Sequence, residues 1–221
     1  MSRTRIKFCG FTRAEDIDAA VAAGADAIGL VFYPHSKRCI SLELAAQLRA
    51  RVPLFVDVVA LTVNAAEPEV RAILDAVRPS VLQFHGDESP EDCARYGVPY
   101  LKAMRVGAPG LDSAEALLES CLAHRAAAGW LFDSHSAGFG GSGRSFDWSL
   151  LSSIAHSADA RPLVLSGGLH AAKVRQALAE VRPYAVDVSS GVETEPGLKS
   201  AVKMQQFAQE VRRFDAACET P

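Results

Sequence analysis

Eight short apolar runs recur along the 221-residue chain, separated by roughly 20 to 33 residues, and this rhythm limits the fold more than any other feature. The runs are Ile6–Cys9, Ala27–Phe32, Leu54–Val63, Val81–His85, Tyr100–Val106, Trp130–Asp133, Leu163–Ser166 and Ala185–Ser189. Their hydrophobicity is nearly continuous rather than alternating, as expected of parallel strands buried on both faces. Between them the sequence takes a helical period. Thr12 and Glu15 form a capping box ahead of Ile17, Ala20, Val21 and Gly24. Ser89-Pro90 supplies an N-cap and a proline for the first turn of another helix, and Asp112 opens the segment carrying Ala116, Leu117 and Leu118. Leu198, Val202, Met204, Phe207 and Val211 mark the apolar stripe of the last helix.

Eight strand–helix units in one chain predict an α/β fold, a single (β/α)₈ TIM barrel over residues 1–221, compact beside the typical ~250 residues. An open doubly wound sheet would use five or six strands and leave the others unexplained. Composition excludes several functional classes. A net charge of −3, with no block of like charge, argues against nucleic acid or an anionic membrane as partner. No apolar stretch approaches the roughly 18 residues of a membrane helix, and the chain enters its first strand too soon for a signal peptide. Five cysteines without zinc-finger or CxxC spacing read as reduced thiols, hence a cytoplasmic protein with no metal centre.

In such a barrel, chemistry gathers at the C-terminal ends of the strands. The seventh run ends Leu165-Ser-Gly-Gly-Leu169 and the eighth Val188-Ser-Ser-Gly-Val-Glu193. One such turn is explained by tight chain reversal alone. Two adjacent ones, with Gly167, Gly168, Ser189, Ser190 and Gly191 offering backbone N–H groups, point to a phosphate site. Cys9 closes the first run, where a thiolate could act, although a free cysteine is more often a small buried hydrophobe. Asp133 closes the sixth, either as a reactive carboxyl or as the cap of an Asx-turn. Arg38 follows the second run and is either a ligand for an anion or a solvated charge. His85 ends the fourth. Gly138-Phe-Gly-Gly-Ser-Gly-Arg-Ser145 fits a dinucleotide fingerprint, and nearly a P-loop, but lies too far from its strand for either; it reads as a lid over the sixth strand end.

Seven collinear segments carry a family resemblance. They are Lys7-Phe-Cys-Gly-Phe-Thr12, Ser36-Lys-Arg38, Gln83-Phe-His-Gly86, Leu131-Phe-Asp-Ser134, Gly140-Gly-Ser-Gly-Arg-Ser-Phe-Asp-Trp148, Ser166-Gly-Gly-Leu169 and Asp187-Val-Ser-Ser-Gly-Val-Glu193. Together they resemble the phosphoribosylanthranilate isomerases of tryptophan biosynthesis, over nearly the whole chain. Two departures are small: Arg144 stands where lysine is common, and Ser200 follows Lys199 where an aspartate is usual.

The resemblance implies an Amadori rearrangement of N-(5-phosphoribosyl)anthranilate. Cys9 would be the general base and Asp133 the general acid. Arg38 would hold the anthranilate carboxylate with His85 nearby, and the two glycine turns would hold the phosphate. The acid protonates the ribose ring oxygen as the C1′–O bond breaks; the base then removes the C2′ proton, and the enolamine tautomerises to the ketone. Such chemistry needs a protonated acid and a thiolate base but no metal, nucleotide or other cofactor. The expected partner is therefore a small phosphoribosyl substrate, with the protein a monomer or homodimer.

Other readings are another phosphosugar barrel enzyme, or a silent phosphosugar-binding protein. The histidine-pathway isomerase has an aspartate where Cys9 stands. Indole-glycerol-phosphate synthase would need catalytic lysines and an N-terminal extension. One further expectation comes from strand geometry. Side chains alternate, so Lys7 should face the barrel interior one layer below Cys9, either pairing there with Asp187 of the neighbouring eighth strand or snorkelling out at the barrel's bottom with Asp187 turned toward a loop or helix.

Overall fold

The computed structural model describes residues 3–135 and 145–219. Eight parallel strands close into a barrel: β1 (Arg5–Cys9), β2 (Ala27–Val31), β3 (Asp57–Thr62), β4 (Val81–Phe84), β5 (Tyr100–Val106), β6 (Gly129–Ser134), β7 (Leu163–Leu165) and β8 (Ala185–Val188). Helices α1 (Ala14–Ala23), α2 (Leu42–Arg51), α3 (Glu67–Val77), α4 (Pro90–Ala94), α5 (Ala114–Ala123), α6 (Ser152–Ala155), α7 (Ala171–Val181) and α8 (Ala201–Glu219) follow in turn. A small antiparallel hairpin, β9 (Glu193–Glu195) with β10 (Leu198–Lys199), precedes α8. This is the expected (β/α)₈ barrel.

Strand alternation sorts the core into two environments. On β1, Ile6 and Phe8 point outward to the helices, and Phe8 meets Phe207 of α8 edge-on with ring centroids 6.0 Å apart. Fully burying a side chain of this kind contributes about 1.5–3 kcal/mol. Inside the barrel, Ala103, Leu131, Val164 and Ala185 fill a layer contributed by β5 to β8. Cys9, Val31, Leu61 and Val63 pack together nearer the mouth of β1 to β3. Buried polar side chains interrupt these layers, among them Lys7, a lysine only 4% exposed.

Four sequence expectations need correction. The third strand does not begin at Leu54. Leu54 and Phe55 are 86% and 100% exposed in the loop before β3, where Phe55 adopts φ 69°. Apolar character alone could not distinguish a solvent-facing loop from a strand. Thr12 does not cap α1, whose N-cap is Arg13 with no side-chain cap. The Thr12 hydroxyl instead donates to Gly197 O at 2.6 Å, fastening the β1 loop to the β9–β10 turn. Ser113 rather than Asp112 caps α5, accepting from Ala116 N, and Leu198 belongs to β10 rather than to the last helix. The Ser89 cap of α4 is as expected, accepting from Asp92 N. Most of the glycine-rich segment read as a lid, Gly138 to Arg144, lies outside the described residues.

Candidate active site

A cavity of about 310 Å³ opens at the C-terminal ends of the strands. Cys9, Arg38, His85, Asp133, Gly167, Gly168, Ser189 and Ser190 all line it, so the fold brings together residues scattered over some 180 positions. Gly191 is not among the lining residues but lies directly behind them. A Cβ placed on it would come within 1.9 Å of Leu169 O, so the β8 turn packs against the β7 turn with room only for glycine. Gly167 and Gly168 take φ 85° and 64°, a left-handed pair that L side chains resist. The short helical turn Ser190–Val192 then begins at the cavity wall.

Asp133 and Cys9 lie three strands apart around the barrel, counting β6, β7, β8, β1. Asp133 is 6% exposed, and its Oδ1 accepts from Ser134 N at 2.9 Å. Its Oδ2 faces His85 Nε2 at 3.4 Å, longer than a well-formed hydrogen bond. His85 is itself fixed from behind by Gln83, whose Nε2 lies 3.0 Å from Nδ1. A carboxyl oriented by its own next amide, beside an imidazole, is well placed to give a proton into the cavity.

Arg38 does not wait open-handed for a ligand. Its Nε donates to Glu193 Oε1 at 2.8 Å and its Nη2 donates to Glu193 Oε2, leaving Nη1 without a partner among the described residues. Glu193 also receives Lys199 Nζ at 2.7 Å. Burial pushes the Glu193 carboxyl up, but Arg38 and Lys199 outweigh it and hold its pKa below the usual value. Lys199, fully buried, is lowered by its own desolvation despite Glu193. The Lys199 ammonium also donates to Cys9 O, as does the Ser189 hydroxyl at 2.9 Å. This network ties the end of β1 to the β8 turn. Sequence reading gave none of these roles to Glu193, Lys199 or Gln83, although all three stand in or beside the strand-end motifs.

The expected pair beneath the mouth is present. Lys7 and Asp187 are register partners on β1 and β8, and Lys7 Nζ lies 2.8 Å from Asp187 Oδ1. Lys7 lies two residues before Cys9 on the same side of β1, so its charge bears on the thiol. Burial opposes the Lys7 charge, yet Asp187 and Cys9 outweigh it and its pKa is raised. Cys9 departs from expectation. Burial pushes its thiol up more strongly than Lys7 and Lys199 pull it down, so the resting site favours the protonated form. Lys7 stands below Cys9 as strand alternation expects; the dryness that overrides its charge is not written in the local sequence.

Among the described residues, no group of three His, Cys, Asp or Glu side chains could hold a metal ion, and no helix is long and apolar enough to cross a membrane.

Residues 6–210 match the family model described as N-(5'phosphoribosyl)anthranilate (PRA) isomerase. The N-(5'-phosphoribosyl)anthranilate isomerase of Bordetella avium is 59% identical over 213 residues, spanning 96% of this chain and 97% of that protein. A crystal structure of phosphoribosyl anthranilate isomerase with reduced 1-(o-carboxyphenylamino)-1-deoxyribulose 5-phosphate superposes with a TM-score of 0.82 at 36% identity, covering 95% of this chain and 99% of that one. Monomers generated from the dimeric phosphoribosylanthranilate isomerase of Thermotoga maritima give a TM-score of 0.82 at 35% identity, with the same coverage.

Proposed function

The chain belongs to the phosphoribosylanthranilate isomerase family, and from that membership we propose a role for each residue at the barrel mouth. The protein is an aldose–ketose isomerase of tryptophan biosynthesis, converting N-(5-phosphoribosyl)anthranilate to 1-(2-carboxyphenylamino)-1-deoxyribulose 5-phosphate. The observation that carries the assignment of roles is the convergence of Cys9 and Asp133 on one cavity whose far wall is a pair of glycine turns.

The phosphate sits against the backbone N–H groups of the Gly167–Gly168 and Ser189–Gly191 turns, where a helical turn begins. This anchor sets the ribose between acid and base. Asp133 gives its proton to the ring oxygen, and the C1′–O bond breaks to a protonated imine. Cys9, as thiolate, takes the C2′ proton on the other side. The electrons left in the C2′–H bond form the enolamine, which tautomerises to the ketone. Arg38 meets the anthranilate carboxylate through Nη1, and His85 stands behind Asp133. No step calls for a metal or cofactor.

Residues 1–221 act as one domain, and five unbridged cysteines suit a reducing cytoplasm. A homodimer is the favoured assembly. Leu54 and Phe55 stand exposed together, with Phe55 in a backbone conformation costing of order 1–3 kcal/mol. A second copy would cover them, and a Thermotoga maritima relative is dimeric. The enzymatic assignment is tested by adding the protein to N-(5-phosphoribosyl)anthranilate and following its fluorescence. Rapid loss supports the reading; persistent fluorescence would leave a silent phosphosugar-binding protein.

A further inference from the structure

The mechanism needs a thiolate at a position where burial favours the thiol, so something in the structure must supply the anion. We infer that Lys7 and Asp187 act as an opposed pair of positioning residues, the Lys7 ammonium stabilising the Cys9 thiolate once the thiol proton has left to solvent through the cavity, and Asp187 holding Lys7 back. The inference rests on Cys9 being the base, and it adds a source for that base's reactivity.

The geometry is specific. Lys7 and Cys9 share the interior side of β1, two residues apart, and Asp187 pairs with Lys7 across β8. The Lys7 and Asp187 side chains are 4% and 7% exposed and 2.8 Å apart. Ser166 adds its hydroxyl to Asp187 Oδ2 at a long 3.4 Å. Lys7 therefore has one permanent anionic partner, Asp187, and on its own strand a second group that becomes anionic only when Cys9 ionises. A lysine in this position is costly unless it stays paired. The remaining charges around Cys9 are few: Lys199, bound to its carbonyl; Arg38 at the cavity wall; and Asp133 and His85 across the mouth. Tyr33 packs against the cluster of Cys9, Val31, Leu61 and Val63.

Two opposite consequences follow. With Lys7 removed, Cys9 loses the cation that most strongly lowers its pKa, and that pKa rises. With Asp187 neutralised, Lys7 has only the thiolate to pair with, and the Cys9 pKa falls. A purely structural ion pair would move neither in this way.

The test is the pH dependence of iodoacetamide alkylation at Cys9, followed by mass spectrometry. The background carries Cys39→Ser and Cys218→Ser, because those two cysteines are exposed or partly so. Lys7→Met should move the alkylation midpoint upward by about one pH unit or more, and Lys7→Arg should restore it. Asp187→Asn should move the midpoint down. If Asp187→Asn fails to fold, the Lys7 variants decide, and the double replacement Lys7→Met with Asp187→Asn removes both charges together and should show the raised midpoint. An unshifted midpoint in folded Lys7→Met, or shifts of the same sign in both single variants, overturns the inference. Alkylation does not require turnover, so this outcome is separate from the base assignment. Full activity in Cys9→Ala would sink that assignment while leaving the alkylation profile intact.

Discussion

Arg38 and Glu193 form a two-point ion pair at the cavity wall, Nε to Oε1 and Nη2 to Oε2. A carboxylate from the protein thus occupies two positions of the guanidinium fork, leaving Nη1 without a partner among the described residues. Lysine keeps the charge but cannot hold Glu193 and a ligand in that geometry. Arg38→Lys should therefore raise KM about tenfold or more, the worth of one charge-assisted hydrogen bond, and change kcat less. Steady-state kinetics check this, and an unchanged KM would reduce Arg38 to a partner of Glu193 alone.

The phosphate site makes a second claim. Because a Cβ on Gly191 would meet Leu169 O at 1.9 Å, Gly191→Ala must push the β8 turn away from the β7 turn. KM should rise, and the inhibition constant for inorganic phosphate should rise with it. Phosphate competition left intact in Gly191→Ala would put the anion elsewhere.

The fold was legible because eight apolar runs at βα spacing leave few alternatives, and strand alternation offered Asp187 as a partner for Lys7, which the 2.8 Å contact bears out. The errors share a cause. Leu54-Phe55 and Thr12 were assigned by local pattern, but tertiary context decides whether an apolar pair is covered and whether a hydroxyl turns to its own helix or to Gly197. In the site, Cys9 and Asp133 stood out because they end strands. Glu193 and Lys199 did not, since their roles depend on a hairpin folding back beneath Arg38, a contact between segments 155 residues apart that local patterns do not encode.

His124 sets a pH window for stability. Burial, reinforced by the Lys102 charge, lowers its pKa from 6.5 to about 4. Between those values the unfolded chain takes up a proton that the folded chain refuses. The stability due to neutral His124 is complete above 6.5 and declines as pH falls toward 4. Melting temperatures from about pH 7.5 down to about pH 4.5 should drop less in His124→Gln than in the unaltered protein. Parallel curves would contradict this.

The exposed pair Leu54 and Phe55 predicts an assembly that depends on it. Phe55→Asp should convert a dimer to a monomer in sedimentation velocity, with the circular dichroism of the barrel unchanged. The same sedimentation coefficient for both proteins would mean that this loop holds no partner.

Catalysis requires an acid and a base acting at separate strand ends. The most direct measurement of this is kcat for Cys9→Ala and Asp133→Asn with N-(5-phosphoribosyl)anthranilate. Positioned proton transfer typically contributes ~10² to 10⁴-fold. Each variant should lose at least about 10² in kcat while substrate affinity changes far less. A near-normal kcat in either variant would contradict the mechanism.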